Sequence, residues 1–149
     1  MCPVERMIKS RTIQDQDREF RIWAEILSSG QDICVVICGG DRPHIGSVAL
    51  ASMAESPHDP RKRSATPSVI TVPGHKEYNL ALSAAEQLSK ALDRTVVVSV
   101  GIHIEGITPE LITKVEEEFH LLVADLVDAI PNISSQARTS QSLDSQQEE

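Results

Sequence analysis

Residues 95–106 read TVVVSVGIHIEG, and this stretch restricts the possible folds more than any other in the chain. Side chains of a strand point alternately to its two faces, so Val96, Val98, Val100, Ile102 and Ile104 form an unbroken apolar row. The opposite row is Val97, Ser99, Gly101, His103 and Glu105, small at first and polar toward its end. One face must therefore pack against a core. The other suits an apolar helix layer poorly, and a glycine within a strand marks close approach by a ligand or by another length of backbone. A solvated outer face or a subunit contact would produce the same pattern.

The neighbouring segments supply the rest of a sheet. In REFRIWAEIL (18–27), Phe20, Ile22, Ala24 and Ile26 alternate with Arg21, Trp23, Glu25 and Leu27, the signature of a half-buried strand. Ser28–Gln31 is a tight turn into DICVVICGG (32–40), whose continuous apolar run predicts a strand buried on both faces. HIGSVALA (44–51) is a third strand, and three strands joined this closely predict an antiparallel meander. Residues 53–67 contain three prolines and the run Arg61-Lys62-Arg63, and read as a long exposed loop. SVITV (68–72) is a short fourth strand ended by Pro73-Gly74.

Two helices complete the domain. Ala81, Ala84, Ala85, Leu88, Ala91 and Leu92 recur at helical spacing from near His75 to Asp93. Thr108-Pro109-Glu110 then supplies an N-cap, a first-turn proline and a first-turn acid. Ile112, Val115, Phe119, Leu122, Val123, Leu126 and Ile130 stripe the helix that follows, and Pro131 predicts its end. Residues 1–17 show no sustained period and read as a partly ordered lead-in; the polar segment 132–149 reads as a disordered tail. The expectation is one α+β domain over 18–131, order ββββαβα: about five mainly antiparallel strands with two helices, sandwich-like.

Composition narrows the function. A chain of 149 residues, 40% apolar, supports a single core. With 22 acidic against 14 basic residues, the net charge of -8 argues against nucleic acid or an anionic membrane surface as partner. No apolar run approaches the roughly 20 residues of a membrane helix, and MCPVERMIKSRT lacks a secretory hydrophobic segment, so a cytoplasmic location is expected. Cys2, Cys34 and Cys38 are expected to be thiols there. Cys34 and Cys38 lie about 13 Å apart along one strand, beyond disulfide or shared-metal reach, and read as small buried hydrophobes.

Three segments concentrate the residues with chemical potential. CGGDRPHIGSVALA (38–51) places Asp41, Arg42 and His44 beside two glycines; Asp41 and Arg42 could equally pair with each other across a turn. VPGHKEYN (72–79) offers Gly74, His75 and Lys76 at a helix start, where free amides and the positive dipole end suit an anion, although Walker spacing is absent and a helix can follow Pro-Gly for steric reasons alone. GIHIEG puts His103 and Glu105 on one strand face. His44, His75 and His103 could converge with Glu105 on a divalent first-row metal, but their spacings match no standard zinc signature. His58 and His120 read as solvent-facing or packing residues, and Arg61-Lys62-Arg63 as a solvated loop or a clamp on a phosphate. No G-x-S-x-G elbow exists and no catalytic residue is assigned, although acid–base work by His103 and Glu105 stays open.

Taken together, GGDRPHIGSVALA, VPGHKEYNLA and VVVSVGIHIEGIT resemble the shared segments of small bacterial prenylated-flavin chaperone-like proteins, including the small D component that accompanies gallate-type decarboxylases. The resemblance covers roughly residues 18–130. It implies a fold similar to the proteasome-assembly chaperones and a homodimer. It also implies a non-catalytic helper that holds prenylated FMN, or FMN, and assists its delivery to or maturation in a UbiD-type decarboxylase. On that reading Gly74, His75, Lys76 and Arg42 are candidates for the phosphate. His44, His103 and Glu105 are candidates for ring or ribityl groups, or for a metal bridging to the phosphate, and Asp41 is a further cofactor-binding candidate. Aromatic residues are only 3% of the chain, leaving mainly Trp23 and Tyr78 to stack on a flavin. The alternatives are a small metal-dependent enzyme using the same His/Glu cluster, and a decarboxylase-assembly protein that docks a partner without binding a cofactor.

Overall fold

The computed structural model describes residues 6–144, and the side chains of 7–131. The outer five residues of the expected lead-in and of the expected tail, with Cys2, lie outside them. Six strands and two helices follow in the order β1 (Arg6–Asp15), β2 (Arg18–Ser29), β3 (Asp32–Gly40), β4 (Ser47–Glu55), β5 (Arg63–Thr71), α1 (Tyr78–Leu92), β6 (Val96–His103) and α2 (Pro109–Asp144). The strands form one sheet in the order β1-β2-β3-β6-β4-β5, and all pairs are antiparallel except β3 with β6. The α+β class holds, with one strand more than expected.

Several expectations are corrected. Residues 6–15 are not a lead-in but the first strand of the sheet, paired throughout with β2. Its helix-facing row is Met7, Lys9, Arg11 and Ile13, so two basic residues interrupt the apolar alternation that would have revealed it. Arg11 belongs on that face because its guanidinium bonds Glu118 and, at 3.1 Å, Asp125 of α2. The meander fails because β6 inserts between β3 and β4. Residues 53–67 are mostly strand, turning back only between Glu55 and Arg63, and Pro67 is tolerated because β5 is an edge strand. Pro131 does not stop α2, whose backbone continues to Asp144 through part of the segment expected to be disordered; the missing N–H removes one rung of the helix.

Both helices cover the same face of the sheet. Beneath them lie Phe20, Ile22, Ala24 and Ile26 of β2, Ile33, Val35 and Ile37 of β3, and Val96, Val98 and Val100 of β6, all buried. α1 meets them with Ala81, Ala84, Ala85 and Leu88, small residues that let helix and sheet approach closely. α2 contributes Leu111, Val115, Phe119, Leu122, Val123, Leu126 and Ile130; Leu111 takes the inward place expected of Ile112, which is exposed. Burying a side chain of this size is worth about 1.5–3 kcal/mol.

The other face carries no helix. In register across it run Trp23 with Cys38, Leu27 with Cys34, Val36 with Ser99, and Val48 with Ile70. The expectation that β3 is buried on both sides is therefore wrong: Val36 is exposed, and Cys34 and Cys38 are half-buried free thiols. Leu27, Leu50 and Ile70 also lie bare, Ile70 at 80% exposure.

Candidate functional site

At one end of the sheet β3, β5 and β6 finish and β4 begins, so four chain segments meet there. The glycines of the sequence motifs make this junction possible by removing side chains where backbones touch. A Cβ on Gly101 would overlap the carbonyl of His44, so the 41–46 segment lies directly across β6. A Cβ on Gly40 (φ 76°) would likewise overlap the carbonyl of His103. Gly46 faces the carboxylate of Glu77, whose Oε2 would be 2.6 Å from an added Cβ. The strand glycine thus marks an approach of backbone rather than of ligand.

The junction brings His44, His75 and His103 together. The rings of His44 and His75 are 4.5 Å apart between centroids, and those of His44 and His103 6.4 Å. Arg42 Nη2 donates to Glu105 Oε2 at 2.8 Å and lies 3.1 Å from His103 Nε2. His103 Nε2 is also 3.3 Å from Glu105 Oε2. That nitrogen either accepts from Arg42 or donates to Glu105, and a guanidinium can only donate. Hydrogen bonds from His103 and Arg42, with their positive charge, hold the Glu105 carboxyl below its usual range. Arg42 and Glu105 are largely open to solvent.

Asp41 and the glycine turn play other parts than those expected. The Asp41 amide donates to the His103 carbonyl at 2.7 Å, and its carboxylate accepts from the Glu105 amide at 2.8 Å and from Arg18 at 3.3 Å. Asp41 is therefore a staple between β3 and the end of β6, and it pairs with Arg18 rather than with Arg42. The helix start is also displaced: α1 begins at Tyr78, not near His75. Gly74 (φ 87°) lies in the turn before it, the His75 amide donates to Val72 O at 3.1 Å and the Lys76 amide to Glu77 Oε2 at 3.0 Å. Two of the amides expected to cradle an anion are thus already engaged, leaving the exposed Lys76 side chain as the cationic contribution of this turn.

Sequence reasoning missed two residues of the junction. Glu77 accepts from or shares a proton with His44 Nε2 at 2.9 Å and lies 3.8 Å from His75 Nδ1; its place two residues after His75 was the available signal. Arg18 donates to the Glu105 carbonyl at 3.2 Å from 87 residues away, and nothing local announces it. The expected metal grouping changes accordingly: His44 and His75 group with Glu77, while His103 and Glu105 group with Arg42. His58 is exposed, and His120 is exposed with its ring edge-on to Phe119. Arg61 and Arg63 pair with Asp59 and Asp93 at the far end of β4, nine strand residues from the junction, which removes them as a clamp here. Two surface hollows, of about 520 Å³ beside Arg63 and Asp93 and about 610 Å³ beside Lys9 and Asp125, also lie away from it.

The molecule is thus a two-layer α+β domain with one bare sheet face and a histidine-rich junction at that sheet's end. Residues 16–131 match the model of the prenylated flavin chaperone LpdD-like domain, and the chain belongs to that family. It is also similar to a chain from a chaperone complex for yeast 20S proteasome assembly, at 16% identity over 85% of this chain and 96% of that one, with a TM-score of 0.48. Comparison with the curated proteins returns no match. Among the described residues no helix is long and apolar enough to cross a membrane.

Proposed function

We propose that this chain holds prenylated FMN, without turning it over, and passes it to a UbiD-type decarboxylase. The observation that carries the reading is the junction itself: residues remote in sequence and drawn from all three glycine-bearing motifs converge where cationic groups adjoin a bare apolar sheet. A phosphorylated flavin needs both. Arg42 and Lys76 suit the phosphate, by charge-assisted hydrogen bonds. His103 and Glu105 offer polar contacts to ribityl or ring atoms, and the floor beside Trp23 and Cys38 suits the prenylated ring system. Family membership supports this guest over other phosphorylated ones.

The bare face further supports a homodimer, expected in the cytoplasm. Contiguous exposed apolar surface on a sheet is characteristic of an interaction site, and face-to-face packing of two sheets is a standard way to bury one. A second copy would cover Val36, Leu50 and Ile70 while leaving the junction at the rim, open for transfer. The test is anaerobic: prenylated FMN is mixed with the protein, passed through gel filtration and then offered to an apo-decarboxylase. Co-elution of one flavin per chain, followed by gain of decarboxylase activity, supports the reading; elution of all flavin in the small-molecule fraction overturns it.

A further inference from the structure

We infer that His44, His75 and Glu77 form a three-ligand site for a divalent transition-metal ion of the zinc class. This goes beyond flavin binding and stands without it. One ligand atom from each residue lies within 4.8 Å of the other two. In a tetrahedral site with metal–ligand distances of about 2.0–2.2 Å, ligand atoms stand roughly 3.3 Å apart. His44 Nε2 lies 2.9 Å from Glu77 Oε1 and His75 Nδ1 3.8 Å from Glu77 Oε2, so each imidazole reaches one oxygen of the same carboxylate at a separation near that value.

The surroundings of His44 suit a ligand role. Its Nδ1 lies 3.1 Å from the Arg42 carbonyl oxygen, so the tautomer that donates there leaves Nε2 as the ligand atom. Nε2 itself faces Glu77 Oε1 at 2.9 Å. A backbone carbonyl fixing the far nitrogen is the usual outer support of a metal-binding histidine.

Glu77 is similarly prepared: its side chain is 14% exposed, it accepts the Lys76 amide at 3.0 Å, and the missing side chain of Gly46 makes the space it occupies. Two imidazoles and one carboxylate are a borderline donor set, suited to zinc or cobalt and poorly to calcium. With three protein ligands a fourth position stays open to solvent or an exogenous ligand.

The test uses the full chain, stripped with chelator and titrated with Co²⁺, with visible absorption and bound metal after desalting as readouts. The expected result is one equivalent bound, with the intense bands of low-coordinate Co²⁺, displaced by Zn²⁺. His75→Ala and Glu77→Gln should each weaken binding by about 10²-fold or more, whereas His58→Ala should leave it unchanged. His75→Ala keeps the His44–Glu77 contact and so tests the site if Glu77→Gln disturbs folding. No stoichiometric Co²⁺ in the wild type, or binding by both variants as tight as that of the wild type, would overturn the inference.

Discussion

Replacing Gly101 with alanine tests how the junction is built. Gly101 sits in the middle of the sheet's order, on β6, and its backbone is in an ordinary strand conformation, so alanine meets no torsional objection there. The objection is steric and involves backbone. The new Cβ would overlap the His44 carbonyl and stand 3.1 Å from the Ile45 nitrogen. Restoring an ordinary C···O contact of about 3.4 Å forces the 41–46 segment to retreat by roughly 1.7 Å. The Gly46 amide, which donates to Val100 O at 2.9 Å, and the 2.9 Å His44–Glu77 contact are both inside the region that moves. Overpacking costs about 1–3 kcal/mol and each lost hydrogen bond about 1 kcal/mol, so a loss of roughly 2–4 kcal/mol is expected. A domain stable by about 5–15 kcal/mol stays folded after that change.

The assay is urea unfolding followed by circular dichroism, run beside Gly74→Ala. Gly74 (φ 87°) has nothing within 4 Å of an added Cβ, so its alanine carries only torsional strain, of order 1–2 kcal/mol. Gly101→Ala should therefore be the more destabilising of the two and should also weaken flavin retention. A loss below about 0.5 kcal/mol for Gly101→Ala, with retention unchanged, would refute the close approach on which the junction depends.

Other perturbations probe separate parts. Ile13, on β1, is 2% exposed, so Ile13→Ala should cost about 2–4 kcal/mol in the same unfolding assay, where a dispensable lead-in would show none. Glu105 is held low by His103 and Arg42, so its ionised contacts are fully present above its ordinary value of about 4.5 and are lost as pH falls through the depressed one; Arg42→Met should shift its NMR titration midpoint upward, and an unmoved midpoint would mean the contact is not made. Burial, with the charge of Glu25 adding to it, raises the Cys38 thiol, so its alkylation by iodoacetamide at pH 8 should be slower than that of free cysteine; an equal rate would contradict its half-buried place. Leu50→Asp with Ile70→Asp should convert the proposed dimer to a folded monomer in light scattering, and a dimeric mass unchanged from the wild type would remove the bare face as the subunit contact.

What the sequence disclosed, and what it hid, divides along the range of the interactions. Alternation in 18–27 and 95–105 and the helical stripes gave the principal elements, because those patterns record which face each residue buries. β1 was hidden because Lys9 and Arg11 occupy inward positions, and Arg11 is explained only by carboxylates more than a hundred residues later. The parallel contact between β3 and β6 brings together segments about sixty residues apart, and no local period encodes such a choice of neighbour. At the junction, dense glycines marked a special place and the three histidines were candidates to converge there with Glu105; the structure brings the histidines together but groups His44 and His75 with Glu77. The exchange of partners did not: Asp41 with Arg18 and Glu77 with His44 depend on which side chains cross the gap once the strands are paired.

Anaerobic equilibrium titration of prenylated FMN against the wild type and Arg42→Met, with unfolding curves to establish equal folding, addresses the flavin reading most directly. Exchange of one exposed cation for an apolar chain of similar length should weaken binding by about tenfold or more if the phosphate rests at the junction, since a charge-assisted hydrogen bond contributes about 1.5–3 kcal/mol. Saturable wild-type binding with the Arg42→Met curve superimposed on it would contradict that placement.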